Sequence, residues 1–374
     1  MSGITSETSG NMPVLANASA SSLEGLARRS EAFAIPLLAL IVGMVLFSIF
    51  LITQGKSPLD FLDIVWRGGF GSWFSIQNTL SRASPLLLTA LCVALPARLG
   101  LVVIGGEGAI VLGGVAAAAL GASFTTAPAL LVIPLMGLAG MLAGAIWIGT
   151  LGALRHYRAV NETISSLLMA YIAIALMNQL VEGPLRDPAS LNKPSTHPLA
   201  DAYRIGNIPG MDVHWGLAIG IIACIISWVL IEKTRWGFAA RIAGGNVRAA
   251  QVQGLAVGQL IVGFTGLAGA FAGLAGMIEV VAVQGNANAS LAAGNGYTGI
   301  LVAFLARHNP LAIIPVSIFL GGIYAAGGLV QRRMDLPDAT VLVLQGLLFI
   351  IILFSETFYG RFKMFNPDLW KRGT

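Results

Sequence analysis

Apolar runs of roughly 18 or more residues, separated by short polar stretches, recur along almost the whole chain. Each is long enough to cross ~30 Å of hydrocarbon as an α-helix. The pattern predicts an all-α, polytopic membrane protein with about ten segments, over residues 33–52, 75–96, 101–121, 128–152, 163–181, 214–232, 257–282, 292–306, 311–330 and 338–356. Residues 33–356 then make one transmembrane domain. A Ser-, Ala- and Asn-rich tail over 1–32 is expected to be disordered, and a second tail covers 357–374. The first apolar run is long enough to span and Arg28-Arg29 would hold its start inside, so no cleavable signal is read.

Two of these segments are interrupted. The third carries Gly105-Gly106-Glu107-Gly108 at its middle. Three glycines and a carboxylate cost a spanning helix on the order of several kcal/mol, so the segment is expected to be broken or closely packed, with Glu107 facing protein or water. Either the glycines permit tight packing and Glu107 pairs within the bundle, or Glu107 serves a pathway. The second break, 284–299, is uncharged and dense in Asn and Gly. An interrupted apolar segment in each half of a chain points to a site near the membrane midplane, and here the pair is Gly105–Gly108 with Gly294–Gly299. Asn161-Glu162 open the fifth segment, where a carboxylate suits a helix amino terminus and Ser165 and Ser166 can bond between helices. Glu107, Asn161, Glu162, Asn286, Asn288 and Asn295 are the candidate route or gate residues.

Composition adds orientation. Only 10% of residues are charged, against about 25% in a soluble protein. With the amino terminus inside, the larger share of Arg and Lys also falls inside, which places both termini in the cytoplasm; Arg332-Arg333 fall outside. Basic residues scattered between spans argue against a nucleic-acid partner. The longest basic interruption, 233–255, holds Lys233, Arg235, Arg241 and Arg248 and no acid, while Phe238, Ile242, Ala249 and Ala250 give it an apolar side. Gly244-Gly245-Asn246 break it into a short helix, a turn and a second short helix on the membrane surface. It either marks orientation only or docks a cytoplasmic partner. The long outside connection, 183–213, contains five prolines and either receives a soluble partner or crosses over as ordered chain.

No catalytic constellation accompanies these features. Gly55-Lys56-Ser57 resembles the end of a phosphate-binding loop, but position 50 is Phe where that motif needs Gly and a spanning helix precedes it. The four histidines fall at or outside membrane edges with no His-Glu pair at helical spacing, and Cys92 and Cys224 sit in apolar runs as small hydrophobes. An enzyme is not expected.

Four segments in order carry a resemblance: Ile104–Gly108; Asn161–Ser165 leading to Tyr171-Ile172; Arg241–Gly254; and Gly296–Ile300 leading to Arg307-His308-Asn309-Pro310. Together they resemble the membrane permease subunits of bacterial ABC importers, in the branch of ribose, branched-chain amino-acid and nucleoside permeases, with most likeness to nucleoside and simple-sugar permeases. The resemblance implies that Thr234–Leu255 is the coupling segment seated in a groove of an ATPase. Arg241, Gly244, Asn246, Ala249, Ala250 and Gly254 match, and Arg248 joins them in the expected coupling set. Val247 stands where relatives often have Pro and Gln251 where they often have Arg; Val103, Ala109 and Ala170 replace frequent polar residues. It further implies a cytoplasmic ABC ATPase, a second permease subunit, identical or homologous, and a periplasmic or lipoprotein solute-binding receptor. No cofactor would be bound by this chain, ATP and Mg being used by the partner ATPase, and the location would be the bacterial inner membrane. The solute would be a nucleoside or, next, a simple sugar. The competing reading is an ion-coupled secondary transporter acting alone, for which Glu107 and Glu279 are the few proton-carrying groups within the spans.

Overall fold

The computed structural model describes residues 34–124, 126–337 and 339–358. The expected tails lie outside the described residues, apart from Thr357 and Phe358 in a short 3₁₀ turn. The elements are α1 (Ala34–Thr53), α2 (Pro58–Gly69), α3 (Trp73–Ala97), α4 (Gly106–Ser123), α5 (Ala129–Arg158), α6 (Glu162–Glu182), α7 (Gly216–Lys233), α8 (Arg235–Gly245), α9 (Val247–Val252), α10 (Val257–Ile278), α11 (Asn295–Leu305), α12 (Pro310–Met334) and α13 (Ala339–Ser355). Among the described residues, eight helices are long and apolar enough to cross a membrane, and α11 and α13 are shorter apolar helices. The protein is an all-α, multi-pass membrane protein.

Each of the ten expected segments meets a helix, with three corrections. The third segment is interrupted at its start and not at its middle: Leu101–Ile104 run outside any helix and α4 begins at Gly106, so the glycines sit at a helix start, where they cost little propensity. The eighth is only the 11-residue α11, about 16 Å long, half the ~30 Å of a bilayer core. Helix α2 was not expected at all. Ser57 caps it, accepting from the Asp60 amide at 3.3 Å ahead of Pro58, so the residue that resembled a phosphate-loop serine is a helix cap.

The described chain divides into two compact units, one of residues up to Gln54 with those from Val343 onward, the other Gly55–Leu342. In the first, Gly43 of α1 lies against Leu348 of α13. In the second, α10 runs through the centre, packed on α3, α4 and α5. Lipid offers no hydrophobic drive between helices, so association rests on close backbone approach at small residues. That is what is seen: a Cβ on Gly269 would meet the Gly144 carbonyl, one on Gly273 the Gly140 carbonyl, and one on Gly276 the Ile110 carbonyl.

One end of this unit collects the basic corners. Gly244 of α8 lies on the Arg98 carbonyl after α3, Gly258 of α10 on the His156 ring of α5, and Arg98 reaches the α11–α12 turn. At the other end, 183–213 is an ordered crossover. The Thr196 amide donates to the Ala287 carbonyl at 2.9 Å, the Leu199 amide to the Gly285 carbonyl at 2.8 Å, and the Thr196 hydroxyl accepts from the Ala287 amide at 2.9 Å.

Candidate translocation site and coupling surface

The two interrupted stretches meet. Glu107, in the first turn of α4, is 1% exposed and lies against the amino terminus of α11. Its Oε1 accepts from the Gly294 amide at 2.7 Å and its Oε2 from the Gly296 amide at 2.6 Å. A carboxylate here satisfies free amides of a helix start and offsets the positive ends of two helix dipoles at once. Contact requires glycine: a Cβ on Gly296 would overlap the Glu107 backbone, and Gly294 adopts φ +83°. The cluster is recessed. A Cβ at Gly106 would lie 3.6 Å from Cys92 Sγ, six residues before Arg98 on α3, or roughly 9 Å in from the end of that helix.

The chain entering α4 is held by α6. The Ser166 hydroxyl accepts from the Ile104 amide at 3.0 Å and the Thr163 hydroxyl donates to the Val102 carbonyl at 3.2 Å. These bonds replace the helical partners that Leu101–Ile104 lack. Two donors near the break are unspent: Trp147 Nε1, beside Gly108, and the half-buried Asn295 amide, which has no partner among the described residues.

The other route candidates are engaged elsewhere. Asn161 caps α6, its Oδ1 accepting from Thr163 and Ile164 at 3.0 and 3.1 Å, and Glu162 pairs with Arg155 at 3.2 Å. Asn288 donates to Gln284 at 3.0 Å and to Asn286 at 2.7 Å, an amide network inside the loop stitched to 195–199. Gln284 in turn donates to Glu279 at 3.5 Å. Only Glu107 and Asn295 of the six stand at the meeting of the two breaks.

The segment 233–255 folds as two short helices. The Thr234 hydroxyl caps α8, accepting from Gly237 at 3.3 Å, and Asn246 caps α9, accepting from Ala249 at 3.0 Å; Gly254 ends the pair at φ +77°. Arg241 donates to Glu232 at 3.0 Å and the buried Ala250 faces inward. Arg241, Gly244, Asn246, Ala250 and Gly254 therefore shape and seat the pair. Arg248 and Ala249 instead line an open concavity with Asn246, Val252 and Gln253, Val252 being 84% exposed.

Sequence reasoning missed the residues beneath this pair. Arg98 lies 4.0 Å from Glu232 and donates to the His308 carbonyl at 3.0 Å, so one guanidinium joins α3, the α7–α8 corner and the α11–α12 turn. That turn is strained, with Arg307 and His308 both left-handed at φ 51° and 55°. Burial, then the charges of Arg98 and Arg307, pushes the His308 imidazole down to about 4. Above about pH 6.5 the ring is neutral in folded and unfolded chains alike. As pH falls from there toward 4, the unfolded chain gains a proton that the folded chain refuses, so stability drops by about 3 kcal/mol at most. His308→Gln is expected to flatten the fall in Tm across that window; an unchanged pH profile would show that the ring is not held neutral.

Residues 75–353 match the protein family described as branched-chain amino acid transport system, permease component. The chain is 31% identical to a glucose ABC transporter permease protein of Haloferax volcanii, over 89% of this chain and 90% of the relative. It is 29% identical to a guanosine ABC transporter permease protein of Bacillus subtilis, over 91% and 97%. A nucleoside ABC transporter permease protein of Lactococcus lactis is 26% identical over 85% and 90%. The family match covers both interrupted stretches and α8–α9, and the chain belongs to this family of transport permease components, whose relatives here are ABC transporter permeases.

Proposed function

We propose that this chain is the membrane-spanning permease subunit of an ATP-driven importer for a neutral, polar small molecule, a nucleoside or else a simple sugar, in the cytoplasmic membrane. The observation that carries the reading is the α8–α9 pair, seated on the membrane domain through Gly244 and Arg241 while Arg248, Ala249 and Val252 face outward. A surface with no acid and a small-residue concavity suits a groove in a cytoplasmic ATPase, which would bind the ATP and Mg. The names of the relatives, glucose, guanosine and nucleoside permeases, support an uncharged hydroxyl-rich cargo. A receptor outside would deliver it, and a second permease subunit would complete the route.

In this reading Arg98 transmits motion. A shift of α8 moves Glu232 and Arg241, and Arg98 hands it to the His308 carbonyl and so to α11, whose other end is held by Glu107. Cargo would be selected by the few donors near that break, since each unpaired buried donor costs a poor ligand about 1–3 kcal/mol. The test is solute uptake into proteoliposomes containing the chain, its second permease subunit, ATPase and receptor. Uptake should require ATP and fall at least tenfold in Ala249→Glu with Val252→Glu, two exposed sites where the exchange is expected to leave the fold intact. Uptake without ATP, unaffected by these changes, would transfer the argument to an ion-coupled carrier.

A further inference from the structure

At the end of α3 away from Arg98, a cavity of about 740 Å³ opens between α2, α3, α12 and the start of α13, with Ala293 before α11 also on its wall. Three guanidiniums line it, Arg67 from α2, Arg82 from α3 and Arg332 from α12, and no acidic side chain lines it among the described residues. Arg67 is held on its exposed face by Asp63 at 2.9 Å. Arg82 and Arg332 have neither a hydrogen bond nor an ion pair among the described residues; Arg82 acts on Glu279 only through its field. The amides of Asn78 and Gln331 on the same walls are also unspent. Like charges gathered around one hollow repel, and planar guanidinium forks with free amide donors match the oxygens of a phosphate group.

The surroundings place this hollow at headgroup depth. It lies where α3 begins and α12 ends, so at a membrane boundary. Helix α2 buries Phe61 and Ile64 and sets Gly69 against Gly322 of α12, while Leu59, Leu62 and Trp66, at helical spacing, face outward. Trp73 and Phe74, at the start of α3, are likewise exposed. An apolar stripe beside exposed aromatic residues is how an interfacial helix rests at the edge of the hydrocarbon. We propose that the cavity is a binding site for a phosphate-bearing anion, presented at this depth by the headgroup of an anionic phospholipid in the leaflet opposite α8–α9. Ala293, next to the Gly294 that donates to Glu107, also lines the hollow, so it adjoins the Glu107 cluster without including Glu107 itself, and the proposal does not depend on the import reading. Bound lipid would clamp α2 to the ends of α3 and α12, the helix whose Tyr324 bonds Thr298 of α11 at 2.9 Å.

The test uses the full chain in an uncharged detergent, with thermal-shift titrations of four probes: phosphatidylglycerol in mixed micelles, phosphatidylcholine in mixed micelles, inorganic phosphate and glycerol 3-phosphate. Each basic residue near an anionic headgroup contributes about fivefold in affinity. Arg82→Gln with Arg332→Gln should therefore weaken the apparent affinity for phosphatidylglycerol roughly 25-fold. The response to phosphatidylcholine should stay unchanged, and so should the phosphatidylglycerol response of Arg333→Gln, which lies outside the lining. A matching arginine-dependent shift with the two soluble probes supports the anion site and assigns it to a soluble phosphate ester. The proposal is overturned if the double variant, still monodisperse and folded, responds to phosphatidylglycerol as wild type does, or if none of the phosphate probes shifts the wild type. An arginine-dependent loss of receptor binding with unchanged lipid response would also overturn it and make the hollow a protein contact.

Discussion

Glu107→Ala is expected to lower stability by about 2–8 kcal/mol and to abolish uptake. The change removes the acceptor for two buried amides, Gly294 and Gly296, and each amide left unpaired costs about 1–3 kcal/mol. Loss of the anion at the start of α11 adds roughly 0.3–2 kcal/mol. Glu107→Gln separates support of the helix from proton carriage. Its carbonyl can still accept from one glycine amide while its NH₂ opposes the other, so the loss of Tm should fall between wild type and Ala, with uptake partly retained. Thermal unfolding in detergent and uptake in proteoliposomes read the two quantities. A Gln variant with wild-type Tm and no uptake would point to a proton carrier at position 107, and an Ala variant with wild-type Tm would show that the clamp on α11 contributes nothing.

The second large effect is expected at the centre of the bundle. Gly273→Ala places a methyl group onto the Gly140 carbonyl of α5 and against the Gly144 Cα of the same helix. Overpacking typically costs 1–3 kcal/mol, and here both obstacles are backbone that no rotamer change can clear, so a loss of about 3 kcal/mol or more is expected. Yield of monodisperse protein should collapse with it. Gly263→Ala on the same helix meets nothing within 4 Å and serves as the control, neutral or slightly stabilising. Equal losses at both positions would mean that helix flexibility, not close packing, sets the requirement for glycine on α10.

The spans were legible because a bilayer imposes long apolar runs, and each such run became a helix. The α8–α9 pair was legible for another reason: its caps are local, with Thr234, Asn246 and Gly254 each acting within a few residues. What depends on distance in sequence was not. Glu107 announced itself as a carboxylate within an apolar run, but its partners are backbone amides 187 and 189 residues away, and no side chain marks an amide as a donor. Arg98 drew no reading of its own, because its junction with Glu232 and the His308 carbonyl exists solely in the fold. Helix α2 escaped because its apolar positions alternate with Asp60, Asp63 and Arg67, at a length far below a span. Asn161 and Glu162 were route candidates by polarity, and the fold engages them in a helix cap and an ion pair, contacts that composition does not show.

The central claim is that α8–α9 is where an ATPase engages the membrane domain. The most direct measurement is co-purification of the tagged chain with its candidate ATPase, comparing wild type with Ala249→Glu plus Val252→Glu. The account requires the wild type to retain the ATPase and the variant, still folded and monodisperse, to lose it. Equal retention by both, or an ATPase held through another surface, would contradict it.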